Sequence, residues 1–354
     1  MEDKYDNFNY LLNRYKYQLD NCLKDVKDKE KERRRIVNEL IYSNKHTRFT
    51  PVEFFMLNLA NKTHEEWYEY LPDLASRIIF DRLNVKTKDL RIANKYDVYC
   101  CLKKYYKRDL IKIDNLNQKE LFYKFLNENK EIIVKPICGS LGNDIKIINI
   151  NKIKDKETYF DSLIKMYPDG MILEELIHQT EFMNRLNPTS VNTLRTTTIK
   201  MDNDIYTQSI LRVGKMFSKV DNIAKGGISC SVEKYTGRIF DAVDKYGIKY
   251  INHPHTNMPL LNAVVPRYDE AVALAKEIIL KLDTYRYMGF DFALTEDGWV
   301  LIELNAKASI YTVQQSMHKG LRKEFEQIFK KLNKPIDFPG MFDEEFMKEI
   351  KKQG

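Results

Sequence analysis

Residues 289–306 read GFDFALTEDGWVLIELNA, two alternating apolar runs on either side of Glu296-Asp297-Gly298. Acidic residues and a glycine between such runs mark a turn, so the stretch predicts a β-hairpin. Strand side chains alternate between faces. Glu303 and Asn305 therefore share one, and Asp291 on the partner strand can stand opposite them. Two carboxylates and an amide are hard oxygen donors suited to Mg2+, which keeps several waters and bridges to substrate phosphates. An ordinary hairpin with polar residues turned outward fits the same letters.

Upstream, residues 132–144 read IIVKPICGSLGND: an apolar run ends in Lys135 and opens into a loop with Gly139, Ser140 and Gly142. A lysine leaving a strand beside a glycine-containing loop can bring a cation and close backbone N–H groups to phosphate oxygens. The spacing is not G-x-x-x-x-G-K-[ST], which excludes a Walker-type loop. A hairpin turn with a solvated lysine is the plainer alternative. Between the two stretches, residues 171–181 read MILEELIHQTE. A strand edge offering backbone groups at Glu175 and Ile177, followed by Glu181, could clasp an adenine edge and then a ribose diol.

The order of these parts, a lysine at 95, Lys135 with its glycine loop, E-E-x-I, a later Glu, then Asp and Glu-x-Asn on a hairpin, resembles the ATP-grasp superfamily over roughly residues 90–330. The resemblance implies an α+β fold in which two α+β subdomains clasp ATP. It implies that Lys95 and Lys135 bind phosphate and that Gly139, Ser140 and Gly142 belong to a loop covering it. It gives Glu174, Glu175 and Ile177 as the adenine hinge, Glu181 as the ribose-binding acid, and Asp291, Glu303 and Asn305 as Mg2+ ligands. More narrowly, LNPTSVNTLRTTTI (186–199), LRVGKMFSKVDNIAKGG (211–227), EKYTGRI (233–239), INHPHT (251–256) and GFDFAL (289–294) resemble the sugar-transfer-associated ATP-grasp group of bacterial surface-polysaccharide and capsule gene sets. Asn192, Arg195, Arg212, Asp221, Asn222, Gly226, Gly227 and His253 stand at its motif positions. NAKAS, after Glu303, lacks the glycine that many ATP-grasp ligases carry there.

Phosphoryl transfer is catalysed mainly by positioning and electrostatics, so lysines, arginines and hard-cation ligands are the parts required, and no side-chain nucleophile is. Arg195 is a candidate clamp on the transferred phosphoryl or on an acyl phosphate, with a strand-end salt bridge as the alternative. Arg212 and Lys215 are similar candidates. His253 could orient an acceptor or act as a base, or be a loop histidine with no catalytic duty. The resemblance implies an ATP-dependent carboxylate–amine ligase that makes an amide through an acyl phosphate, acting on a surface-polysaccharide sugar or its amino-acid substituent. Two alternatives stay open: a kinase of the same fold acting on a hydroxyl, and a non-catalytic protein binding nucleic acid or a membrane surface.

Length and composition fit a soluble globular chain. Its 354 residues suffice for two or three domains, 31% are charged and 43% hydrophobic, and 13 Gly and 10 Pro rule out collagenous or wholly disordered chains. No stretch approaches the roughly 20 apolar residues of a membrane helix, and MEDKYDNFNY lacks a secretory pattern, so the expected location is cytoplasmic. Five cysteines, at 22, 100, 101, 138 and 230, show no C-x-x-C spacing and are expected to be reduced. Net charge is +7, and residues 86–112 hold nine basic and three acidic residues, a patch suited to polyphosphate, an anionic membrane or nucleic acid. The placement of its Lys103–Arg108 run favours a lid helix, and nucleic acid is not the expected partner. The expected partners are small-molecule or glycan-linked carboxylate and amine substrates, and peripheral contact with membrane-linked glycan machinery stays open.

Strands are expected at 131–135, 144–150, 171–175, 193–200, 205–213, 227–233, 238–243, 287–294 and 299–304, and helices at 51–61, 64–83, 118–127, 268–282 and 312–332. Thr50-Pro51-Val52-Glu53 marks a helix start. The first fifty residues, with few apolar positions between charge runs, read as a peripheral arm. The expected division is a helical region 1–90, a lid 91–180, a second subdomain 181–335 and a tail helix in 336–354.

Overall fold

Alternating apolar letters put ten strands into two antiparallel sheets among the described residues, which in this computed structural model are 7–23, 27–84, 92–138, 145–215, 218 and 221–353. The strands are β1 Leu110–Ile113, β2 Glu131–Pro136, β3 Lys146–Asn149, β4 Met171–Glu175, β5 Thr193–Lys200, β6 Ile205–Val213, β7 Ile228–Val232, β8 Ile239–Asp244, β9 Tyr287–Thr295 and β10 Gly298–Asn305. The small sheet has the order β1-β4-β2-β3 and the large one β10-β9-β5-β6-β7-β8. All nine expected strands form, each within two residues of its expected ends. The tenth, β1, lies inside the basic run, four residues whose strand character comes from pairing with β4.

The helices are α1 Phe8–Arg14, α2 Lys16–Cys22, α3 Lys29–His46, α4 Pro51–Met56, α5 His64–Glu69, α6 Leu74–Leu83, α7 Lys95–Tyr106, α8 Lys119–Glu128, α9 Lys156–Met166, α10 Glu181–Leu186, α11 Tyr268–Lys281, α12 Ile310–Met317, α13 Arg322–Lys331 and α14 Glu344–Gln353. Thr50 and Glu53 cap α4 reciprocally as expected. Three expected helices are shorter or broken. The first stops at α4, because Asn58 turns left-handed (φ 54°). The second splits into α5 and α6 at Pro72, which can donate no helical hydrogen bond. The third splits into α12 and α13 where His318 turns left-handed (φ 53°). Gly320 follows, and a Cβ there would stand 2.2 Å from the Glu69 carbonyl oxygen.

One face of the large sheet, with Leu194, Leu211, Cys230, Phe290 and Phe292, buries against Ala271, Ala275 and Ile278 of α11. Val98, Leu102 and Tyr106 of α7 and Ile172 of β4 belong to the same core, so α7 links the two sheets. The small sheet has a core of its own, built on Phe122, Phe125, Val134, Phe160 and Leu173.

The expected peripheral arm is corrected. Leu11, Leu19, Val37, Leu40, Phe54 and Trp67 form one buried cluster that is completed by Phe346 of α14. Few apolar residues suffice because helices from both ends of the chain contribute. Polar bonds join this region to the large sheet. Asn84, past α6, donates to the Tyr287 carbonyl at 2.9 Å and accepts from the Arg286 and Tyr287 N–H groups at 2.8 Å each. The Gln314 side chain holds both backbone groups of Leu71 at 2.7–2.8 Å.

Candidate active site

Strands β10, β9 and β5 are neighbours, and their register sets Glu303 opposite Asp291 and Asp291 opposite Arg195. Directly opposed residues of antiparallel strands share a face, so the three side chains form one row across the sheet. Arg195 donates to Asp291 through two parallel bonds, Nε to Oδ1 and Nη2 to Oδ2, both 2.7 Å. On β6, Arg212 stands opposite Thr193. Its Nη2 donates to Asp291 Oδ2 at 2.9 Å and its Nε to Thr193 Oγ1 at 2.9 Å. Asn305 Nδ2 donates to Asp291 Oδ2 at 3.0 Å. Asp291 is only 2% exposed. Burial works to raise its pKa, but the two guanidiniums prevail and hold it at about 2.

Glu303 differs: among the described residues it has no hydrogen-bond or ion-pair partner. Burial, then the neighbouring Asp291, raise its pKa, opposed in part by Lys135, Lys95 and Arg195. Those two lysines come from the small-sheet side. Lys95 opens α7, and its N–H donates to the Ile137 carbonyl at 3.1 Å. Burial depresses its ammonium's pKa, with Glu303 and Glu174 opposing. Lys135, near the end of β2, is ion-paired to Glu174 Oε1, and Arg108 Nη2 holds Glu174 Oε2 at 2.8 Å. The small sheet and the large sheet thus present lysines and carboxylates to one another across α7.

The model of one protein family, described as sugar-transfer associated ATP-grasp, matches residues 69–330. The chain belongs to that family. Its fold is the α+β ATP-grasp fold, and the match begins in α5, earlier than the residue near 90 expected from motifs alone. Among solved structures, this ATP-grasp chain is similar to D-alanyl-alanine synthetase A from Vibrio cholerae O1 biovar eltor (TM-score 0.40, 10% identity, covering 74% of this chain and 64% of that one). It is also similar to D-alanine–D-alanine ligase from Helicobacter pylori (0.40, 16%, 70% and 61%). A third likeness is to N5-carboxyaminoimidazole ribonucleotide synthetase in its ADP complex (0.37, 11%, 61% and 45%). The chain spans less than two thirds of the length of each of these. No curated protein matches it.

Against the family pattern, the structure brings Lys95, Lys135, Arg195, Arg212, Asp291, Glu303 and Asn305 together. Gly139, Ser140 and Gly142 lie outside the described residues. The expected strand edge at Glu175 and Ile177 is corrected as to the edge alone: β4 is an interior strand that ends at Glu175, and Ile177 lies beyond it. The N–H groups of Glu175 and Leu176 go to the carbonyls of Asp109 and Glu131, and the Glu174 carboxylate goes to Lys135 and Arg108. Ile177 is half-buried beyond the strand, and Glu181 is exposed in the first turn of α10. His253 is corrected as a candidate base: it is 1% exposed, its Nε2 meets the Gly214 carbonyl at 2.9 Å and its Nδ1 meets Thr256 Oγ1 at 3.0 Å. Burial depresses its pKa, so it is a neutral ring bracing the loop after β6. Lys215 on that loop donates to Asp244 Oδ2 at 3.0 Å and to the Tyr250 hydroxyl at 2.9 Å.

The residues present fit a hard divalent cation. Glu303 is unpartnered, and Asp291 Oδ1 accepts one hydrogen bond and keeps a lone pair. Among the described residues no group of three His, Cys, Asp or Glu side chains could hold a metal. Asp291, Glu303 and Asn305 are oxygen donors of the kind that a hard divalent cation such as Mg2+ would accept beside water and phosphate. Motif reading missed Arg108, Thr193 and Asp73. Asp73 Oδ1 accepts from the Ile310 N–H at 3.1 Å, and its carboxylate lies within electrostatic reach of Arg195. The helical N-terminal region therefore walls the site on that side. Arg108 was visible only as one cation of a basic run. No helix among the described residues is long and apolar enough to cross a membrane.

Proposed function

We propose that this chain is an ATP-dependent, ADP-forming carboxylate–amine ligase. The observation that carries the reading is the Arg195–Asp291–Glu303 row on three adjacent strands, faced by Lys95 and Lys135, in a chain of the ATP-grasp family. ATP would supply its γ-phosphoryl to a substrate carboxylate, with ADP leaving and Mg2+ neutralising the phosphate charge, and an amine would then displace phosphate from the acyl phosphate to leave an amide.

The chain's own residues bind and orient. Lys95 and Lys135 hold phosphate oxygens. Asp291, Glu303 and Asn305 offer the cation its protein oxygens. Arg212 remains on Asp291 and keeps that carboxylate charged and aimed. Arg195, which grips Asp291 in this structure, would present a planar two-pronged donor to an acyl phosphate beside it. Burial keeps water from competing with the amine. The family's link to sugar transfer supports a carboxylate or amine borne by a surface-polysaccharide sugar or its amino-acid substituent, met in the cytoplasm beside membrane-linked glycan machinery.

The test is calorimetric titration of ATP with and without Mg2+, on wild type and Lys135→Ala. We expect Mg2+-assisted binding that weakens at least tenfold in the variant, the scale of a lost charge-assisted contact. Carboxylate–amine pairs are then screened for ADP release. Folded wild type that binds no ATP would overturn the reading, and a stable phosphorylated product formed without an amine would replace ligase by kinase.

A further inference from the structure

Arg108 lies just past α7, and its side chain is 5% exposed. Its Nη2 donates to Glu174 Oε2 at 2.8 Å, its Nη1 to the Leu301 carbonyl at 2.8 Å and to the Tyr106 carbonyl at 3.0 Å, and its guanidinium lies over the Tyr106 ring at 4.9 Å. One planar group thus touches the small sheet at Glu174 and the large sheet at Leu301. Leu301 lies at the register shift that precedes Glu303. Glu174 is shared: Arg108 holds one of its oxygens and Lys135 the other.

We infer that Arg108 is a positioning residue of the nucleotide site, which by holding Glu174 leaves Lys135 free to exchange its carboxylate for a phosphate; the inference rests on the ATP-binding reading above. Arg108, Glu174 and Lys135 carry two positive charges and one negative, all with side chains at most 11% exposed. When Lys135 turns to a phosphate, Glu174 keeps a cationic partner and no buried carboxylate is stranded. Without Arg108, Lys135 is the only side chain among the described residues that bonds the Glu174 carboxylate, with Lys95 within electrostatic reach of it. A phosphate must then break that pair and leave Glu174 without a bonded partner. The surplus positive charge that attracts an anion is gone as well.

The test is a double-mutant cycle read by calorimetric titration of ATP with Mg2+, alongside thermal unfolding without nucleotide. Arg108→Gln is expected to weaken ATP binding roughly tenfold, on the scale of one charge-assisted hydrogen bond. In the Glu174→Gln background the same change is expected to alter affinity less than about threefold, because Lys135 then has no carboxylate to return to. Equal losses in both backgrounds would show simple removal of positive charge and overturn the inference. So would an Arg108→Gln protein that binds as wild type does. Arg108→Lys keeps the charge on Glu174 and serves if the glutamine variant does not fold; it is expected to stay within about threefold of wild type, and a tenfold loss there overturns the inference. Wild type that binds no ATP removes the parent reading and this inference together, whereas wild-type binding with an inert Arg108 removes the inference alone.

Discussion

Glu303 stands half-buried among charges with no bonded partner among the described residues, and in the resting protein that is a cost. Its carboxyl pKa is raised, first by burial and then by Asp291. The cost is therefore absent below the unfolded value, about 4.3, and is fully present once pH exceeds the folded value. Glu303→Gln, which removes the charge and keeps the shape, should accordingly stabilise the nucleotide-free protein at pH 7.5. Most of the gain should vanish at pH 4.5, and Mg2+-dependent turnover should be lost. Denaturant midpoints at the two pH values decide it; a variant less stable than wild type at pH 7.5 sinks the idea. The shared face of Asp291, Glu303 and Asn305 was legible because strand alternation is local. The partner of Arg195 was not. It depends on β5 lying beside β9, a pairing between segments about ninety residues apart that no spacing rule encodes. The interior place of β4 was hidden for a similar reason. An apolar strand followed by acids reads alike whether it ends at a sheet edge or between two strands.

At the scale of elements, α3, α5 and α14 meet at His64. Its Nε2 faces Glu39 at 3.0 Å and its Nδ1 faces Glu349 at 2.7 Å, while the ring stacks on Tyr42 at 4.2 Å. Burial opposes its protonation, yet the two carboxylates leave its pKa above the ordinary value. That stabilisation is complete below pH 6.5 or so and is lost as pH rises through the folded value. Glu53, capping α4, is pushed by burial to about 7, so it costs nothing near pH 4 and up to roughly 3 kcal/mol above pH 7. Both groups make the N-terminal helices less stable as pH climbs from 5.5 to 8. We expect the urea midpoint to fall across that range and His64→Gln to flatten the upper half of the fall; a wild-type midpoint that rises instead contradicts it. The strands were legible nearly to the residue, because alternation and β-branched residues act locally. The helix ends were not, because Asn58 and His318 break helices through left-handed backbone that their residue types permit but do not demand.

For the whole molecule, the basic run at 86–112 is a lesson in reading charge. Within its described part, Lys103, Lys104, Arg108 and Lys112 pair with Asp109, Glu277, Glu174 and Asp114. Two of these carboxylates, Glu174 and Glu277, come from elsewhere in the chain, while Asp109 lies within the run and Asp114 just past it. The N-terminal region illustrates the converse. Its sparse apolar letters looked insufficient for a core because part of that core, Phe346, is written nearly three hundred residues later. A ribosome adding roughly 5–20 residues per second delivers α14 between a quarter of a minute and a minute after α3. Chains stalled before residue 343 should leave residues 7–69 open to protease, while released chains resist; equal protection in both would refute this. Phe346 thus reaches Tyr42 and His64 only once α14 has followed α3 and α5 out of the exit tunnel, and that side of the cluster stays open to solvent until then.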